Sequence, residues 1–246
     1  MRAMAKPDAI NKRGGLFDSF RSKGIVDIYQ EQVRTNWDLR ANWPPGSPLD
    51  IGDYGTLDNG VFKRLGNIRD DYKIKFRVKK DPSGTDIDRF CSSKAHRIDL
   101  KMKADASGAG VPLATGMSIK FADKNVVFID ARDCRYDSIV GAPEVNMSII
   151  KASEEGTWDG EYYYVTRVMR ARQATVIITI DKNATIDLDL EASTPIPVGK
   201  LLPSMPGLTS SNVTNIGFKE IGKAGMALMM DLWHIVGEDD GRKMAV

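Results

Sequence analysis

The amino-acid sequence predicts a mixed α+β protein in which β-strands dominate. Its clearest feature is a nine-residue stretch, 97–105, in which apolar and charged residues alternate at every position. Two further stretches, 73–79 and 185–191, alternate in the same way, and a period of two residues is the period of a β-strand. Helix signals are limited to the amino-terminal region and to parts of the region 134–152. The three alternating stretches therefore predict strands with one apolar face and one charged face.

The composition excludes several classes of protein. With 246 residues, of which 42% are hydrophobic and 28% charged, the chain is long enough to bury a sizeable core and too apolar to be disordered. The net charge of +2 is small, so an electrostatic partner would have to contact a local charged patch. Because no repeat and no low-complexity linker interrupts the chain, we predict one domain over residues 1–246.

Targeting and redox signals favour a cytoplasmic protein. The two cysteines, Cys91 and Cys134, are too few for a disulfide framework, which suits a reducing compartment. No apolar run reaches the roughly 18 to 20 residues that a membrane-spanning helix needs, and the start of the chain does not have the pattern of a signal peptide.

Residues 1–24 are predicted to form a basic helical segment. Ile10, Phe17 and Phe20 share one helical face, although two glycines at 14–15 weaken the pattern. Six basic residues outnumber two acidic ones in this segment. The basic residues are Arg2, Lys6, Lys12, Arg13, Arg21 and Lys23. Two interpretations stay open at this point, a solvated first helix and a helix that binds an acidic surface.

The next part of the chain is predicted to contain strands and turns. Residues 25–29 have the composition of a short strand, and the proline-rich stretch 43–48 fits neither a helix interior nor a central strand. Glycine-containing turns between 52 and 60 indicate a small hairpin. The first alternating strand follows at 72–80.

The central part of the chain carries the longest alternating strand. After 97–105 comes a glycine-rich tip at 106–110, a return strand at 117–121 and a buried strand at 125–129. Short helices are predicted at 134–140 and 145–152.

The last third is predicted to be β-rich again. Aromatic and β-branched residues predict strands at 161–168 and 175–180, followed by a turn and the third alternating strand, 185–191. A surface excursion at 193–212 precedes a last apolar strand at 225–236, and residues 237–246 form a polar tail.

Catalytic patterns are weak, so we predict that the protein is not an enzyme and uses no metal or cofactor. His96 and His234 lie far apart, with no carboxylate at metal-ligand spacing, and His234 falls within an apolar strand. Neither cysteine has the context of a nucleophile. Asp187 and Asp189 are interpreted as the solvated face of a strand rather than as paired catalytic carboxylates.

Nucleic-acid binding is also disfavoured. Five cations are concentrated in one short stretch: Lys73, Lys75, Arg77, Lys79 and Lys80. The aromatic that could stack on a base, Phe76, lies on the opposite face, and the third alternating strand presents acidic residues that repel phosphates.

Three features together resemble the pore-forming domain of the gasdermin family. They are the run YYVTRV at 163–168, the apolar run GMALMMDL at 225–232, and a basic opening segment followed by long alternating strands. The resemblance covers roughly residues 6–236 and is to the short fungal and bacterial members without an inhibitory domain. It implies a twisted antiparallel sheet with flanking helices, whose long hairpins can form a transmembrane β-barrel.

The resemblance also implies a function. Members of this family bind acidic phospholipids, oligomerise and permeabilise membranes. We therefore expect this chain to oligomerise with copies of itself or with a related protein and to permeabilise the plasma membrane in cell death or defence. Five residues would contact acidic lipids: Lys6, Lys12, Arg13, Arg21 and Lys23. The residues that would enter the membrane lie in two hairpins, 72–80 with 97–128 and 162–180 with 185–192: Ile74, Phe76, Val78, Ile98, Leu100, Met102, Val176, Ile178, Ile186, Leu188 and Leu190.

Alternation by itself leaves two interpretations open. A membrane-spanning strand needs about 9 to 11 residues, apolar toward lipid and polar toward the lumen, and residues 95–105 meet that length. A half-exposed strand of an antiparallel sheet has the same pattern. The alternative function is therefore a soluble β-rich module that binds a protein or a small ligand.

Overall fold

The computed structural model confirms an α+β fold built mainly from antiparallel strands, with 15% helix and 55% strand. It describes residues 3–5, 24–81, 85–103, 113–191, 196–197 and 200–236. The predicted basic helical segment, with its five lipid-binding residues, lies outside the described residues except for 3–5 and Gly24, and so does the predicted polar tail. Residues 3–5 form a strand instead of the predicted helix, because they pair with the last strand of the chain. No helix among the described residues is long and apolar enough to cross a membrane.

Three helices and fifteen strands are assigned in the described part of the chain. The helices are α1 (Ile25–Trp37), α2 (Ile68–Asp71) and α3 (Ala142–Glu154). The strands are β1 (Ala3–Ala5), β2 (Arg40–Ala41), β3 (Asp53–Asp58), β4 (Val61–Asn67), β5 (Arg77–Asp81), β6 (Ile87–Cys91), β7 (His96–Lys103), β8 (Leu113–Phe121), β9 (Val127–Arg132), β10 (Arg135–Val140), β11 (Tyr163–Thr179), β12 (Ala184–Leu190), β13 (Ile196–Pro197), β14 (Leu208–Thr214) and β15 (Ile216–Val236).

The larger sheet has ten strands and is organised around the long antiparallel pair β11 and β15. The other edge of β11 is shared in succession by β3, β10 and β9, which in turn pair with β4, β5 and β6. The other edge of β15 pairs with β1 and β2. Four register shifts along β11 and β15 let these long strands bend, because a bulge increases the local twist.

The smaller sheet has five strands, with β8 at its centre. The hairpin partner β7 lies on one side of β8, while β12 and β13 lie on the other side, with β14 beyond β12. Strand β7 is therefore an edge strand, and the tip of its hairpin, 104–112, lies outside the described residues.

Two apolar layers hold these elements together. On one face of the larger sheet, α1 buries Ile28, Tyr29 and Val33. On its opposite face, Phe128 and Ile177 pack against the smaller sheet, in a cluster with Ile119, Ile186 and Leu188. Each fully buried large apolar side chain contributes about 1.5 to 3 kcal/mol, so the contact between the sheets is strong.

Two further secondary-structure predictions were wrong. The predicted strand 25–29 is the first part of α1, where Asp27 accepts a hydrogen bond from the Gly24 amide at 3.1 Å and so caps the helix. The predicted helix 134–140 is β10, which pairs with β5 on one side and β11 on the other. In both cases the packing of a distant element overrides local propensity. The predicted helix 145–152 is confirmed as part of α3.

Three predicted strands have different limits in the structure. Of the predicted strand 72–80, only residues 77–80 belong to a strand, β5, which continues to Asp81. Tyr72 instead caps α2, and Lys73 has a positive φ of 57°. The predicted strands 161–168 and 175–180 form the single strand β11. The last strand begins at Ile216, before the predicted start at 225. The predicted surface excursion 193–212 was wrong at its end, since residues 208–212 belong to β14, which pairs with β12. The alternating strands at 97–105 and 185–191 are confirmed as β7 and β12 within their described residues.

Candidate functional site

The candidate site is the polar face of the smaller sheet, on which charged and hydroxyl side chains from four strands lie in register. We call it the polar face. Its residues are Arg97, Asp99 and Lys101 on β7; Lys120, Ser118 and Gly116 on β8; Thr185, Asp187 and Asp189 on β12; and Ser211 and Thr209 on β14. Successive side chains of a strand point to opposite faces, so the apolar residues between these positions point toward the core.

A lysine on β7 reaches across β8 to two carboxylates on β12. Lys101 Nζ lies 2.8 Å from Asp189 Oδ1 and 3.5 Å from Asp187 Oδ2. The residue between them is Gly116, which is opposite Lys101 on one side and Asp189 on the other. A Cβ atom at this position would lie 2.3 Å from the Leu188 carbonyl oxygen and 3.0 Å from Asp189 Oδ1. The absence of a side chain at Gly116 therefore permits the contact.

The two carboxylates have further partners on β14. Asn212 Nδ2 donates a hydrogen bond of 2.9 Å to Asp187 Oδ2, and the Ser211 hydroxyl donates to Asp189 Oδ2. The network therefore joins β7, β12 and β14. The sequence prediction placed Asp187 and Asp189 on a solvated face but missed Lys101 as their partner, since the pairing depends on strand order.

A second charged group lies nearer the start of β7. Arg97 Nε is 2.5 Å from Asp99 Oδ1, and Lys120 Nζ on β8 is 3.4 Å from Asp99 Oδ2. One carboxylate thus serves two cations, and this end of the polar face keeps excess positive charge.

The apolar side of β7 is only partly covered. Ile98 packs against the core between the sheets, whereas Leu100 and Met102 are 36% and 63% exposed. Exposed apolar residues on an edge strand allow that strand to associate with other surfaces.

The other predicted membrane-entering residues lie in different surroundings. Ile186, Leu188, Val176 and Ile178 are fully buried, Ile74 is nearly so, and Leu190 is half-buried. The Phe76 ring lies 4.3 Å from the Arg69 guanidinium carbon, and Val78 is 38% exposed on β5.

The structure pairs these strands differently from the two predicted hairpins. Strand β5 pairs with β10 instead of β7, and β11 and β12 belong to different sheets although they follow one another in the chain. Of the predicted hairpin strands, β7 and β8 do form a hairpin, and β12 lies beside β8.

Other chemically capable residues are dispersed. The His234 ring stacks on Tyr163 with centroids 4.7 Å apart, and burial lowers the pKa of this histidine. Both cysteines are free thiols, and burial raises the pKa of Cys134 to about 11, so it is a poor nucleophile. Within the described ranges, no three His, Cys, Asp or Glu side chains come together as a possible metal site.

A buried carboxylate, Asp130 on β9, was missed by sequence reasoning. Its oxygens are inaccessible to solvent, and Arg132 Nε lies 3.0 Å from Oδ1 without hydrogen-bond geometry. Burial raises the pKa of Asp130 to about 6. The only signal in the sequence is an aspartate that interrupts an apolar strand.

Comparison with known proteins adds no family assignment. No protein-family model matches this chain, and no curated protein matches it significantly in sequence.

Proposed function

We propose that this protein is a gasdermin-like pore former that binds acidic phospholipid membranes, oligomerises and inserts β-hairpins. In this proposal it is cytoplasmic before assembly and permeabilises the plasma membrane afterwards, in cell death or defence. The observation that carries the proposal is the smaller sheet, which has charged and hydroxyl side chains on one face and an edge strand with Leu100 and Met102 exposed on the other.

Insertion into a membrane would change the surroundings of only one face of the smaller sheet, and the charge network lies on the other face. Lys101, Asp187 and Asp189 all lie on the polar face, so the network could face water both in the folded protein and in a pore lumen. The opposite face, with Ile119 and Leu188, would exchange the protein core for lipid. A transmembrane strand requires this division between an apolar and a polar side.

Assembly of many copies follows from the chemistry of the backbone. An open sheet edge in hydrocarbon leaves backbone groups unpaired at several kcal/mol each, so inserted strands must close into a barrel. The edge strands β7 and β14 would pair with neighbouring subunits, either identical copies or a related protein. The proposal requires no chemical step and no nucleic acid.

Membrane attraction is assigned to the basic amino-terminal segment. Lys6, Lys12, Arg13, Arg21 and Lys23 would each contribute up to about 1 kcal/mol near an anionic surface.

Dye release from vesicles tests the proposal. Wild-type protein, with any required partner present, should release dye from vesicles rich in acidic lipids. The variant Leu100→Asp should bind the vesicles but release no dye, because it places a charge on the lipid-facing side. Leu65→Asp is the matched control, since Leu65 is 55% exposed on β4, outside the smaller sheet, and this variant should leak like wild type. Leakage by Leu100→Asp, or no leakage by wild type, would contradict the proposal.

The alternative function is a soluble module that binds a protein or small ligand. The observation in its favour is that Ile119, Ile186 and Leu188 are completely buried, as in an ordinary two-layer protein. This alternative predicts a monomer that does not sediment with acidic vesicles, so a sedimentation assay separates the two functions.

A further inference from the structure

A shallow cavity, open to solvent, lies at one end of the smaller sheet, where β7 and β12 begin and β8 ends. Its volume is about 390 Å³. Part of its lining comes from Ala95 and Ala122, which are joined by a 2.9 Å hydrogen bond from the Ala122 amide to the Ala95 carbonyl. Because Ala95 and Ala122 have small side chains, they leave space next to Arg97 and Lys120.

The walls of this cavity carry more positive than negative charge. Lys94, Arg97 and Lys120 line it, and the carboxylate that pairs with two of them is Asp99. Lys94 has no carboxylate within salt-bridge distance in the described ranges of the chain. Asp123, three residues after Lys120, accepts a hydrogen bond from the Ser93 hydroxyl. The cavity is therefore suited to an anion.

The third wall is uncharged and contains both polar and apolar residues, the apolar ones being Phe121 and Ala184. Asn183 and Thr185, at the start of β12, supply an amide and a hydroxyl group. The volume falls within the range of small-molecule sites, about 300 to 1,000 Å³, and thus leaves room for an organic group beside an anion.

We propose that this cavity binds a phosphomonoester, with the phosphate held by Lys94, Arg97 and Lys120 and the esterified alcohol against Asn183 and Thr185. A phosphomonoester carries a charge of about −1.5 to −2 at neutral pH and accepts several charge-assisted hydrogen bonds. A phosphodiester carries a single negative charge and binds more weakly. The bound ligand would join the beginnings of β7 and β12 across β8.

Two kinds of molecule carry a phosphomonoester: a lipid with a headgroup of the phosphatidic acid type and a soluble phosphorylated alcohol. The lipid case rests on the proposed function, and the soluble case does not.

Calorimetric titration with glycerol phosphate and with inorganic phosphate tests the site. Lys94→Gln should weaken binding about tenfold or more, because it removes a charge-assisted contact. Ala95→Leu, at an exposed position, should abolish binding by filling the cavity without a change of charge. Lys124→Gln is the control, since it removes the same charge from the neighbouring loop, outside the cavity. Absence of binding by wild type, or equal weakening by Lys94→Gln and Lys124→Gln, would overturn the site.

Sedimentation with two kinds of vesicle separates the sources. One contains phosphatidylcholine with phosphatidic acid, and the other contains phosphatidylcholine with phosphatidylserine at equal charge. If Ala95→Leu loses its preference for phosphatidic acid, the site takes a lipid headgroup. If it binds both vesicles like wild type while losing glycerol phosphate, the site takes a soluble ligand. Dye release is measured on the same samples. Leakage without phosphate binding overturns this inference alone, whereas phosphate binding without leakage overturns the proposed function alone.

Discussion

Replacing Lys101 tests whether the charge network holds the edge strand β7 to the smaller sheet. Lys101 Nζ lies 2.8 Å from Asp189 Oδ1, and the two side chains are 34% and 41% exposed. Exposed ion pairs contribute roughly 0.2 to 1 kcal/mol after solvent screening. Because the Ser211 hydroxyl orients the Asp189 carboxylate, we expect a coupling free energy near the upper limit, about 1 kcal/mol.

A double-mutant cycle measures this coupling. Urea unfolding of wild type, Lys101→Met, Asp189→Asn and the double variant gives the pairwise free energy. The reference cycle uses Lys151 and Glu155 on α3, which lie 3.7 Å apart and are 77% and 57% exposed. We expect the reference coupling to be at most about 0.5 kcal/mol. In 1 M salt, where the Debye length falls to about 3 Å, both couplings should decrease. A Lys101–Asp189 coupling no larger than the reference would refute the argument.

Two further predictions concern stability. Gly116→Ala should destabilise the protein by about 1 to 3 kcal/mol, since its Cβ would lie 2.3 Å from the Leu188 carbonyl oxygen. Gly160→Ala, where a Cβ meets nothing within 4 Å, is the control in urea unfolding, and equal effects would contradict the prediction. Burial raises the pKa of Asp130 from 3.8 to about 6, so the folded protein favours the protonated carboxyl group. The stability that this proton binding contributes is complete below about pH 3.8 and is lost as the pH rises through 6. Asp130→Asn should therefore raise the unfolding free energy at pH 7.5 by on the order of 2 kcal/mol and have less effect at pH 5; a destabilised variant at pH 7.5 would show that the Arg132 pair outweighs burial.

Part of the fold could be predicted because its signals are local. The alternation at 97–105 and 185–191 is a property of neighbouring residues, and it identified β7, β12 and their faces. Residues 25–29 are β-branched or aromatic except for Asp27, yet they form a helix, because Ile28 and Tyr29 are buried against the larger sheet. The free-energy differences in helix propensity between residues are smaller than the free energy that the burial of these two side chains contributes.

The candidate site could be predicted only in part. The charged residues of β7 and β12 were identified from their spacing, but their ion pairs depend on which strand lies between them. The cavity beside Ala95 and Ala122 also arises from three segments that are distant in the chain. A spacing pattern contains no information about such neighbours.

The sequence by itself determined the β-rich α+β class and the two-faced character of the alternating strands, because both follow from composition and from a period of two residues. Only the tertiary structure decided that β8 separates Lys101 from Asp189, that Gly116 lets them meet, and that Leu100 remains exposed while Leu188 is buried. The physical reason is that strand order and burial depend on contacts between distant segments, whose free energies exceed the preferences of individual residues.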